Sequence, residues 1–127
     1  MQIKIFLIFA AVSGLLAVAL GAFGAHALRG KLSENLLNAF ETGVSYQMTH
    51  TLALLCICLL MIHWGERTSL LVAASGFSLG ILLFSGSLYG LALAGMKWLG
   101  PVTPLGGLAF LVGWAALLVS AWNYQAE

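Results

Sequence analysis

Nine charged side chains decide what this 127-residue chain can become, because of where they are not. They fall at Lys4, Arg29, Lys31, Glu34, Glu41, Glu66, Arg67, Lys97 and Glu127, and the four long intervals between them are overwhelmingly apolar. A hydrocarbon layer about 30 Å thick is crossed by about 20 helical residues. Inside it each backbone amide must be satisfied by its own helix. Each uncharged interval is therefore expected to be a membrane-spanning helix. Composition agrees: 61% of residues are hydrophobic and 7% charged, with mean hydropathy +1.03, whereas soluble proteins carry about 25% charge. A net charge of +1 supplies neither a nucleic-acid patch nor a polybasic lipid-binding arm.

The expected fold is all-α, a single four-helix transmembrane domain with spans over about 3–28, 44–64, 69–96 and 105–122. Short connections imply an up-down-up-down bundle with the lipid bilayer as its surroundings. The Arg29 and Lys97 loops then share one side, and the Glu66 turn and both termini the other. Lys and Arg count three against two across the membrane, which leaves the orientation open. The first interval, led by Lys4, resembles a cleavable leader. Its apolar run exceeds the 7–15 residues of such segments, so a retained span is expected. Between the first two spans, Ser33 is placed to cap a short interfacial helix over about 33–42, bending near Gly43 into the second span. The two prolines of Pro101-Val102-Thr103-Pro104 end the third span at the far interface.

Small residues mark the packing faces. Ser13, Ala17, Gly21 and Ala25 recur every fourth position in the first span. The third carries Gly76-x-x-x-Gly80 and Gly86-x-x-x-Gly90, and the fourth Gly106, Ala109, Gly113, Ala116 and Ser120. Such stripes let helix backbones approach closely. The third span is expected to be the most enclosed. Two sets of seams, more than one bundle requires, predict a homo-oligomer or a place in a larger membrane complex. Cys56 and Cys58 point to nearly opposite sides of a helix and read as small packing residues.

Four ordered blocks, GAFGAHAL (21–28), TGVSYQMTH (42–50), FSGSLYGLAL (84–93) and GPVTPLGGLAFLVGW (100–114), resemble the domain of unknown function 423 family, which comprises YgdD-like and YwdK-like small membrane proteins. The resemblance covers nearly the whole chain. It implies a small integral protein of the bacterial inner membrane and brings no activity with it.

Polar residues inside such a chain are the default candidates for a site. Folding the spans back and forth carries His26, Glu41, Tyr46, Gln47, His50, Ser85, Ser87, Tyr89 and Thr103 towards one side, which predicts a polar pocket open to the Arg29 and Lys97 loops. The two histidines have a functional and a structural reading. Imidazole can bind a metal or haem or carry a proton; it can equally hold two helices in register by hydrogen bonds. The structural reading is favoured, because only Glu41 offers a further ligand and a metal site needs three or four. His50 is then expected to be buried and bonded to another helix, through His26, Ser85, Ser87, Tyr89 or the 101–104 segment. Glu41 is solvated if it faces outward, or paired with Arg29, Lys31 or His50 if it faces inward. Ser85 and Ser87 lack an acidic partner, which disfavours a serine nucleophile, and no phosphate loop, dinucleotide fingerprint or HExxH occurs. No catalytic residue, metal or cofactor is called for. Three functions stay open: a structural or assembly bundle, which is favoured; a transporter or channel for a small molecule or ion; and a haem- or quinone-binding protein.

Overall fold

The computed structural model describes residues 2–125. Among these there is no strand, and four helices are long and apolar enough to cross a membrane. We label them α1 (Gln2–Leu28), α2 (Glu34–Trp64), α3 (Thr68–Ala94) and α4 (Val102–Trp122). The last turn of α1, Gly24–Leu28, and the middle of α3, Ile81–Ser85, are wound as wider π turns. A short 3₁₀ turn at Lys97–Leu99 precedes α4.

Two boundaries differ from the expectation. There is no separate interfacial helix with a bend at Gly43: α2 is one helix of 31 residues. Ser33 does cap it, its Oγ accepting from the Leu36 N–H at 3.3 Å. Gly43 is used instead for close approach, since a Cβ there would lie 2.9 Å from the Tyr89 ring and 3.3 Å from Leu88 Cβ. At about 1.5 Å per residue α2 is longer than the hydrocarbon is thick, so part of it must project beyond the bilayer core. The fourth span also starts earlier than 105. Its helix begins at Val102 with Pro104 in the first turn, where the missing N–H is not needed.

The connections are tight because glycine closes them. Gly65 (φ 86°) ends α2 and returns its N–H to the Met61 carbonyl at 2.9 Å; Gly95 (φ 65°) ends α3. Both lie in the left-handed region that side chains disfavour. Consecutive helices pair in opposite chain directions. Ser13 meets Thr51 and Gly24 meets Phe40 across α1 and α2; Gly76 meets Gly113 and Ser87 meets Thr103 across α3 and α4. The inner pair is α2 and α3, with α1 packed on α2 and α4 on α3. Within one 18-residue apolar stretch of each span, α3 has the largest buried share, 44% against 39% for α2 and 17% for each outer span.

The main core joins Leu54, Ile57, Cys58 and Met61 of α2 to Leu70, Ala73 and Phe77 of α3. A smaller one gathers Leu28, Phe40 and Ala92 near the Arg29 and Lys97 loops. At the other end Trp64 stacks on Tyr124 with centroids 4.6 Å apart, and the Arg67 Nε donates to the Trp64 carbonyl.

The small-residue stripes serve unequally. Ser13 and Ala17 are buried, and Gly21 sits against Val44, but Ala25 is exposed. A strict four-residue repeat precesses by about 40° per step on a helix of 3.6 residues per turn. By Ala25 the stripe has left the contact, and Gly24 takes its place against the Phe40 ring. Gly76, Gly80, Gly106 and Gly113 all lie in the α3–α4 seam. Gly86 does not: a Cβ there would meet nothing within 4 Å, because six residues and a π turn after Gly80 the chain faces elsewhere. Gly90 makes room for Leu99 of the connection rather than for a neighbouring helix.

Candidate functional site

The polar side chains of the spans meet in three groups. The first crosses three helices. Gln47 of α2 is buried, and its Nε2 donates to the Ser13 carbonyl of α1 at 2.9 Å and to Ser13 Oγ at 3.3 Å. Ser13 Oγ is also 2.7 Å from Thr51 Oγ1. From the opposite side the Tyr89 hydroxyl of α3 donates to Gln47 Oε1. One amide therefore uses both of its ends, and α1, α2 and α3 are tied by a continuous chain. A hydroxyl or amide left unpaired in an apolar interior costs about 1–3 kcal/mol, which sets the register of these helices as firmly as their packing does.

The second group lies beside α4. Ser85 Oγ donates to the Gly43 carbonyl at 2.6 Å, an acceptor exposed to α3 by the missing side chain of Gly43. Ser87 bonds the Phe84 carbonyl of its own helix at 2.9 Å and Thr103 of α4. A matching pair, Ser69 and Ser120, joins α3 to α4 at the other end.

The third group is His50, 5% exposed among aromatic rings. Phe110 stacks on the imidazole at 3.6 Å, with Phe77, Trp114 and Tyr46 around it. Its Nδ1 lies 2.8 Å from the Tyr46 carbonyl and its Nε2 3.1 Å from Trp114 Nε1. A carbonyl can only accept and an indole N–H can only donate. The ring is thus the neutral Nδ1–H tautomer with both nitrogens committed. His50 is buried and bonded to another helix, as expected, but its partner is Trp114 rather than any residue anticipated from the sequence.

Two other anticipated residues, His26 and Glu41, stand outside these groups. His26 is exposed, and its Nδ1 donates to Ala22 of its own helix at 2.9 Å. Glu41 is exposed, and among the described residues it has no hydrogen bond or ion pair. Tyr46 is 45% exposed and contributes its ring, packed 4.6 Å from Phe84. So Gln47, Tyr89, His50, Ser85, Ser87 and Thr103 are drawn into contacts between helices, while His26 and Glu41 are not. A groove of about 280 Å³ opens between α1 and α3, walled by Phe9, Leu16, Leu20 and Ile81, with Gln47 and Tyr89 in its lining. No three of His, Cys, Asp and Glu group closely enough to hold a metal among the described residues.

Comparison with known proteins places this arrangement. The family model described as "Protein of unknown function (DUF423)" matches residues 20–107. The chain belongs to the DUF423 family. Among curated relatives, the UPF0382 membrane protein YwdK of Bacillus subtilis (strain 168) is 44% identical over 121 residues, covering 95% of this chain and 98% of the relative. The UPF0382 inner membrane protein YgdD of Escherichia coli (strain K12) is 45% identical over 125 residues, covering 95% and 92%. No solved structure matches. With four apolar spans and membrane-protein relatives, this DUF423 chain is a small integral membrane protein.

Ser13, Thr51, Trp114 and the Ser69–Ser120 pair are among the members of these groups that reading the sequence missed or assigned differently. A usable signal existed. In a helical hairpin, positions equally distant from the turn meet, and that rule, counted from Leu28 and Glu34, brings Ser13 to within two residues of Thr51. Trp114 carried no such signal, because α4 is not joined to α2 by a turn.

Proposed function

We propose that this chain is an assembly bundle of the bacterial plasma membrane, with spans crossing alternately up and down, whose work is to pack against other membrane helices, its own copies first. The observation that carries the reading is the state of the polar side chains. His50, Gln47, Tyr89, Ser85, Ser87 and Thr103 each hold helix to helix. Polar groups used in this way give a membrane bundle a single register, and small residues at helix seams give it close contacts. The test is the mass of the protein in mild detergent, by light scattering over a range of concentrations. The assembly reading expects a dimer or larger species; a monomer persisting at high protein concentration overturns it.

A second reading, a carrier for a small apolar molecule, draws on the groove between α1 and α3 with Gln47 and Tyr89 in its lining. Native mass spectrometry of protein extracted from membranes tests it. A bound small molecule that is lost on Leu16→Trp, which fills the groove, supports this reading. Unchanged spectra for the two proteins reject it.

A further inference from the structure

The outward faces of the helices are not alike. α1 turns Val12, Leu15 and Val18 outward, and α4 turns Leu108, Leu111 and Leu118 outward, as lipid contact requires. α2 instead turns out Asn38, Thr42, Ser45, Thr49 and Cys56. At about 100° per residue these five fall within an arc of about 60°, on the side of α2 opposite the buried Gln47, Leu54 and Cys58. The hydroxyls of Thr42, Ser45 and Thr49 bond no other described residue.

Depth makes this matter. Ser13 and Gly14, near the middle of the 27-residue α1, lie against Thr51. Thr49 is therefore within a turn of the centre of the span, and Ser45 one further turn along, both inside the hydrocarbon. Hydroxyls there have no water to bond, and leaving them unpaired is unfavourable. Helix contacts within membranes, by contrast, are enriched in Ser, Thr and other small residues that bond across the interface.

We infer that this face of α2 is the seat of a symmetric contact with α2 of a second copy of the chain. The inference rests on the assembly reading above and names the surface that performs it. A second copy is favoured over a different partner by the chemistry of the face. From Thr42 to Trp64 α2 carries no formal charge to be matched by an opposite one. Each hydroxyl both donates and accepts, so a two-fold axis sets identical faces against each other in complementary fashion. Small Thr and Ser side chains let the backbones approach, and exposed Leu52 and Leu59 flank the stripe to pack beside it.

The test is disulfide trapping of the full chain in native membranes. In a background with Cys56→Ala and Cys58→Ala, single cysteines are placed on α2 by Ser45→Cys and Thr49→Cys, with Val18→Cys on α1 and Leu111→Cys on α4 as comparisons. A further variant with Cys58→Ala alone keeps the natural Cys56 as the third α2 position. Trapped dimer confined to the α2 positions is expected. Trapping at the α1 or α4 positions instead overturns the α2 face while leaving assembly intact. A protein monomeric by light scattering and untrapped at every position overturns both. As a second readout, Ser45→Val and Thr49→Val should each weaken dimerisation about threefold or more in detergent. Because neither hydroxyl bonds within the chain, monomer stability should not fall. An unchanged dimer constant for both would also overturn the inference.

Discussion

Gly76→Ala and Gly86→Ala add the same methyl group to the same helix, at equivalent first positions of two G-x-x-x-G motifs, yet they should differ clearly in their effect on stability. At Gly76 the new Cβ would sit 2.8 Å from the Ala109 carbonyl oxygen and 3.0 Å from the Cα and N of Gly113. All three are backbone atoms, which cannot swing aside as a side chain would. Ordinary contact begins at 3.4 Å, so α3 and α4 must part by roughly half an ångström at this crossing. A gap of that size forfeits about a quarter of the dispersion well for each atom pair it opens, and overpacking of this kind costs about 1–3 kcal/mol. At Gly86 there is nothing within 4 Å to displace. Both substitutions gain the helix preference of Ala over Gly, up to about 1 kcal/mol, so that contribution cancels in the comparison. Gly86→Ala should be neutral or up to about 1 kcal/mol more stable than the parent, and Gly76→Ala about 1–3 kcal/mol less stable than Gly86→Ala. Reversible unfolding in mixed micelles, followed by helix signal against the mole fraction of denaturing detergent, measures the difference. Equal shifts for the two variants, or a more stable Gly76→Ala, would refute the backbone-to-backbone contact between α3 and α4.

At His50, Gln can still both donate and accept while Leu can do neither; His50→Leu should therefore lose about 1–3 kcal/mol by stranding the Trp114 N–H, and His50→Gln distinctly less, in the same unfolding assay. Gln47→Leu and Tyr89→Phe should be coupled, the double variant costing about 0.5–1.5 kcal/mol less than the two single losses added together, since either change alone strands a partner of the other. Strict additivity would show that the Tyr89 hydroxyl does not rely on Gln47. Removing the cap with Ser33→Ala should cost about 1 kcal/mol and speed hydrogen exchange of the Leu36 amide while leaving the amides around Leu54 protected. Equal protection at Leu36 before and after would mean that water serves the helix end as well as Ser33 does.

Much of the protein follows from the order of its residues alone. Nine charges and the uncharged runs between them require four membrane helices, since no other structure satisfies the backbone in hydrocarbon while leaving the connections in water. Ser33 is legible as a cap because its hydroxyl acts on its own first turn. The α3–α4 seam, carried by Gly76, Gly80, Gly106 and Gly113, is legible because small residues at helical spacing have one use in lipid. What the sequence could not decide was direction around each helix. Ala25 and Gly86 look like their packing neighbours in a string of letters, but a few tens of degrees of precession and a π turn carry them off the contact. The same holds for the polar residues. His50 is buried by Phe110 and bonded to Trp114 of a helix that follows two connections later, so its partner depends on how four helices settle together. Local periodicity acts within a single helix, whereas the pairing of α2 with α4 is chosen by the packing of the whole bundle. Only the tertiary structure could therefore separate the polar groups that hold the bundle from those, on the outer face of α2, that it leaves without a partner.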